Sequence, residues 1–238
     1  MSAPVWCADL ADAFWGAVGE RPPFPRDLRS SVVWFPFVVV ELPDLRVTTM
    51  CHWLASRGVL IQLNEPDRRL RGCLYADRGD AFAFLDASDD PAEQRFSLAH
   101  ELGHFLRDYW APRQLVAKRL GPAAVDVLDG LREPTREERL SAVLRGVSVG
   151  PFAHLMRRDE SGRPLTWGER QSEAAADRLA FELLAPAERL TECGTRAAVV
   201  AKLVGEYGLP FAPAVRYAAL LLPGAPAPEP FVARLLVM

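Results

Sequence analysis

The sequence predicts a mixed α+β fold: a small antiparallel sheet, then a helix bearing the pentapeptide His100-Glu101-Leu102-Gly103-His104, then a mainly helical remainder. Three observations carry that reading. Short apolar runs separated by turn signals crowd into residues 59–85, as successive strands do. A capped, apolar-faced stretch follows from Asp90. Beyond it, apolar residues recur at helical rather than two-residue spacing.

Residues 9–18 have the pattern of a short amphipathic helix, and 20–25 form a proline-rich break. The rest of 1–44 gives no clear pattern, so that stretch is an N-terminal segment of uncertain structure. Leu45, Val47, Met50, Trp53 and Leu54 give 45–57 one apolar helical face, and Gly58 supplies a stop. Residues 59–63 then read as a first strand, 65–69 as a polar turn and 70–76 as a second strand. Asp77-Arg78-Gly79-Asp80 is a hairpin turn signal, leading into a third strand at 81–85. Together the three read as an antiparallel meander.

The motif helix has a marked start. Asp90 suits the N-cap, Pro91 the first helical position, and Glu93 stands three residues after the cap. Phe96, Leu98, Ala99, Leu102, Phe105 and Leu106 give it a broad apolar surface, so a largely buried helix over about 91–108 is expected. Residues 114–120, 123–131 and 135–144 read as helices, the last opened by a Thr135/Glu138 capping box. Residues 160–168 read as a polar loop and 172–185 as a strong helix stopped by Pro186. A helical pair follows at 196–207 and 213–222. The resulting division is a core domain at 45–222 with a helical insertion at about 107–170. A Pro-rich linker and a terminal strand then occupy 223–238.

The chain has 238 residues and a net charge of −3, ordinary for a globular protein and without the basic excess of a nucleic-acid binder. Its longest apolar run, 32–40, is about half of what a membrane span needs and contains Pro36. The N-terminus lacks the basic-then-apolar layout of a signal peptide. The four cysteines form no C-x-x-C pair and read as reduced thiols of a cytoplasmic protein.

Chemistry concentrates in the pentapeptide. Residues i and i+4 share a helix face, so both imidazoles reach one ion, and Glu101 can face a water bound to it. That is the zinc-peptidase arrangement of two ligands and a general base. A catalytic zinc wants a third protein ligand. The candidate is Glu173, with Asp177 one turn on accepting the free N–H of a ligating imidazole, although the two roles could be exchanged. His154 competes as a third histidine ligand, or serves as a hydrogen-bond donor to the transition state. Tyr109 and Tyr217 are alternative donors, and His52 reads as structural. The strand at 81–85 is a candidate to pair with an extended substrate.

Phe96-Ser-Leu-Ala-His-Glu-Leu-Gly-His104, followed by Glu173-x-x-Ala-Asp-Arg-x-Ala-x-Glu-Leu-Leu-x-Pro186, resembles the ImmA/IrrE metallo-endopeptidases. The resemblance covers roughly 45–222 and implies a zincin-like fold of the thermolysin type. Carried over, His100, His104 and Glu173 would be zinc ligands, with manganese as the other metal, and Glu101 the base. It further implies cleavage of a helix-turn-helix transcriptional repressor, in transcription regulation or a stress response. The rival is a metal-binding regulator that sequesters a repressor without cutting it. Two departures stand out: the gap between His104 and Glu173 is long for the family, and Leu179 and Phe181 replace its more usual Phe and small residue. No DNA-binding domain is apparent, so the repressor would be a separate chain.

Overall fold

The computed structural model describes all residues except 1, 62, 64, 145–146, 148, 158–165 and 225–238. The chain opens with α1 (Val5–Val18), α2 (Arg29–Val32), β1 (Phe37–Leu42) and α3 (Val47–Ala55). A hairpin of β2 (Leu70–Asp77) and β3 (Asp80–Asp86) precedes the motif helix α4 (Pro91–His104). A π-helical turn, Phe105–Trp110, carries α4 into α5 (Ala111–Leu120). Short helices α6 (Val125–Leu128) and α7 (Arg136–Leu140) lead to β4 (Phe152–Arg157). Then come α8 (Trp167–Leu184), α9 (Arg196–Gly205) and α10 (Phe211–Leu221). Among the described residues no helix is long and apolar enough to cross a membrane.

Among the described residues the chain is a mixed α+β protein with a four-stranded sheet and a mostly helical remainder, consistent with a zincin-like fold. Two compact units are distinguishable: residues 28–177, which hold the sheet, and 1–27 with 178–238. In the second, Phe181 stacks on Tyr217 at 4.3 Å, and the Arg26 guanidinium lies over the rings of Trp15 and Phe24. The boundary falls inside α8, between Asp177 and Arg178.

The sheet departs from the expected meander. Its order is β1-β3-β2-β4, with β1 parallel to β3 and the other pairs antiparallel. The first strand is not 59–63 but Phe37–Leu42, formed by the valine-rich run that suits a pleated surface. Val59, Ile61 and Leu63 instead pack as side chains on the cluster of Met50, Leu54, Cys73 and Phe84 beneath α3. β3 lies between two strands, so its backbone is already paired and it cannot take up a substrate strand. The 107–170 stretch is not wholly helical either, because it supplies β4. Residues 225–238 and 158–165, holding most of the expected linker, terminal strand and polar loop, lie outside the described residues.

Local signals act as read at several points. Arg78 and Gly79 take positive φ angles of 48° and 96° in the β2–β3 turn, the conformation of a two-residue hairpin loop. Asp90 accepts from Ala92 N at 2.8 Å as the N-cap of α4. Glu93, however, pairs with Arg71 at 2.8 Å. Thr135 and Glu138 close their capping box, although the helix breaks after Leu140. α8 begins earlier than expected because Thr166 and Glu169 form a second box.

Strand alternation decides what the sheet offers α4. Cys73, Tyr75 and Phe84 belong to the cluster on the α3 side. Gly72 and Leu74 face the opposite way, toward α4. His154 pairs with Leu74 across β2–β4, so it shares that face.

Candidate metal centre

His100, Glu101 and His104 lie in the last turns of α4 and are at most 2% exposed. The helix packs so tightly that two glycines become necessary. A Cβ at Gly103 would come within 3.0 Å of the Ala176 carbonyl oxygen, so this glycine lets α4 and α8 approach closely enough for Glu173 to face the histidines. A Cβ at Gly72 would lie 3.2 Å from Glu101 Oε1 and 3.3 Å from the Phe84 carbonyl. The bare backbone there gives the Glu101 side chain its room.

Glu173 on α8 reaches both imidazoles. Its Oε2 is 3.4 Å from His100 Nε2 and its Oε1 3.6 Å from His104 Nε2. Asp177 Oδ1 accepts from His100 Nδ1 at 3.0 Å. His154 stands between the two glutamates, with Nδ1 2.9 Å from Glu101 Oε2 and Nε2 2.7 Å from Glu173 Oε1. It also stacks on the His104 ring at 3.7 Å. The structure thus brings together His100, Glu101, His104, His154, Glu173 and Asp177.

Tyr109 and His52 stand outside this cluster. The Tyr109 hydroxyl accepts from Gly79 N at 2.7 Å in the hairpin turn. Tyr217 belongs to the other unit, where its hydroxyl donates to the Ala185 carbonyl at 3.2 Å. His52 is exposed on α3. Sequence reasoning passed over Asp108, which accepts from His104 Nδ1 at 2.9 Å. Its signal was the same i, i+4 spacing that linked the two histidines.

The electrostatics favour positive charge. Burial pushes the His154 ring down, but Glu101 and Glu173 outweigh it and raise its pKa to about 10. Burial opposes a charge on His100 too, yet its bond to Asp177 and the nearby Glu173 carboxylate lift it to about 9. Burial and the adjacent His154 lower His104 to about 4. Glu173, despite burial, is held well below the ordinary carboxylate range by His100 and His154.

The residues fit a metal ion. One donor atom each from His100, His104, His154 and Glu173 lies within 4.8 Å of the others. Nε2 of His100, Nε2 of His104 and Oε1 of Glu101 are buried without a hydrogen-bond partner, which in a protein interior calls for a ligand. Imidazole and carboxylate donors together suit zinc and its neighbours.

No curated protein and no solved structure matches the chain. Residues 60–119 match the family model of the IrrE N-terminal-like domain, peptidase family M78. That segment contains β2, β3 and the whole motif helix, and ends before β4 and α8. With the motif inside it and the α+β fold around it, the match supports an ImmA/IrrE-type metallopeptidase.

Proposed function

We propose that this chain is a zinc-dependent endopeptidase, cytoplasmic, whose substrate is a helix-turn-helix transcriptional repressor supplied as a separate chain. The observation that carries the reading is the buried Glu101 carboxylate beside two partnerless imidazole nitrogens that face Glu173. His100, His104 and Glu173 would hold the ion, zinc by preference and manganese as the other choice. When bound, the ion supplies Lewis acidity, lowering the pKa of a water toward 7 and polarising the scissile carbonyl.

The protein's own residues do the rest. Glu101 takes the proton of the attacking water and passes it to the leaving amine. His154 fixes Glu101 through Nδ1, and its Nε2, which faces Glu173 Oε1, would donate to the oxyanion on the carbonyl once Glu173 holds the ion. Asp177 keeps the proton of His100 on Nδ1, leaving Nε2 to bind. Among the described residues β4 ends the sheet beside these groups, so an extended substrate strand would pair there rather than on β3. Such pairing requires a flexible segment in the target.

The test incubates the purified chain with zinc or manganese and the helix-turn-helix repressor encoded beside its gene. Discrete fragments are expected from the wild type, and none from a Glu101→Gln variant that retains its metal. Stable binding of an uncut repressor by the metal-loaded wild type would instead establish the sequestering regulator. Cleavage by metal-replete Glu101→Gln would remove Glu101 from the role of base.

A further inference from the structure

We propose that Asp108 is the positioning residue for His104. Its carboxylate, clamped by Arg107 and Ser172, sets the ring so that Nε2 faces the metal and ties this ligand to the helix that carries Glu173. The proposal rests on the reading that His100, His104 and Glu173 hold a metal ion.

Asp108 lies in the π-helical turn directly after the motif. Its Oδ2 is 2.9 Å from His104 Nδ1, and Ser172 Oγ donates to the same oxygen at 3.2 Å. Arg107 approaches both carboxylate oxygens, Nη2 at 3.2 Å from Oδ1 and Nη1 at 3.4 Å from Oδ2. The same guanidinium donates to the Ser172 carbonyl at 3.1 Å. Ser172 immediately precedes Glu173, so the cluster connects the second histidine to the backbone that presents the acidic ligand.

An ionised carboxylate only accepts hydrogen bonds, so its partner nitrogen must carry the proton. Asp108 therefore leaves the Nε2 lone pair of His104 free, as Asp177 does for His100. The two carboxylates differ in origin: Asp177 reaches in from α8, whereas Asp108 belongs to the continuation of the motif helix itself. An unsupported i, i+4 pair would leave the ring loosely held. Arg107 and Ser172 remove that freedom by giving Asp108 donors on two helices.

The experiment compares the full-length wild type with Asp108→Ala, Asp108→Asn and Ser172→Ala, each checked for folding by circular dichroism. Zinc affinity is read by chelator competition, and the visible spectrum is recorded with cobalt in place of zinc. Asp108→Ala is expected to lose about 10- to 100-fold in zinc affinity and to alter the cobalt bands. Asp108→Asn keeps an acceptor oxygen and should recover most of that loss, with Ser172→Ala in between. Should Asp108→Ala fail to fold, tighter binding by Asp108→Asn than by Ser172→Ala supports the proposal. Equal affinity in every folded variant and the wild type overturns it, as does a loss in Asp108→Asn as large as in Asp108→Ala. A wild type that binds neither zinc nor cobalt overturns the metal reading itself and this proposal with it.

Discussion

Two small residues illustrate how the site depends on side chains that are absent. At Gly72 a methyl group would press on Glu101 Oε1 at 3.2 Å, with the Phe84 carbonyl blocking retreat at 3.3 Å. The flexible carboxylate is the group that gives way. Gly72→Ala should therefore leave metal content unchanged while lowering the proposed cleavage, by less than the roughly 10²-fold that a displacement of about 1 Å costs, because Glu101 need give only a little. Metal analysis beside a cleavage assay separates the two. At Gly103 the added methyl would meet the Ala176 backbone at 3.0 Å, which cannot rotate aside. Overpacking costs about 1–3 kcal/mol, against a helix-propensity gain of about 1 kcal/mol. Gly103→Ala should thus lower stability by about 1 kcal/mol, visible as a fall in Tm. The proposed site residues were legible in the sequence where they share a helix: His100, Glu101 and His104 are set by spacing alone. Asp108 obeys the same spacing. Gly72 has no such signature, because only the approach of another element makes it special.

At the scale of elements, caps were readable and sheet membership was not. Asp90 caps α4 through Ala92 N. Replacing it with alanine should destabilise the fold by about 1 kcal/mol in denaturant unfolding. The Thr135/Glu138 box gives a prediction with a pH sign. Bonds from Arg132 and from the Thr135 backbone hold the Glu138 carboxyl at about 2, below its ordinary value of 4.5. Its contribution is therefore fully present above pH 4.5 and is lost as pH falls toward 2. Hydrogen exchange around α7 should show Glu138→Gln opening more readily than wild type at neutral pH, with the gap closing toward pH 2. β1 and β4 escaped sequence reading for a shared reason. A strand is recognised by its alternation only when one face is buried, whereas 59–63 looked equally apolar although Val59, Ile61 and Leu63 pack on the α3 cluster instead. What recruited β4 was its partner β2, aligned through Tyr75 and Ala153.

Across the whole chain, none of the four cysteines is paired. Burial pushes the Cys7 thiol up to about 12, helped by Glu182, and places Cys73 well above its usual range. Neither offers a reactive thiolate near neutral pH. Alkylation of the native protein at pH 8 should therefore label Cys51 and Cys193 before Cys7 or Cys73, as peptide mapping would show. The sequence by itself determined the motif helix, its cap, the hairpin turn and the pairing of Glu173 with Asp177 one turn apart, because each depends on residues a few positions away. Only the tertiary structure decided that β1 rather than 59–63 enters the sheet, that β3 is interior and β4 terminal, and that His154 lands between Glu101 and Glu173. Those outcomes turn on strand pairing across long stretches of chain. Register there is set by which faces can be buried together, and no local pattern carries that information.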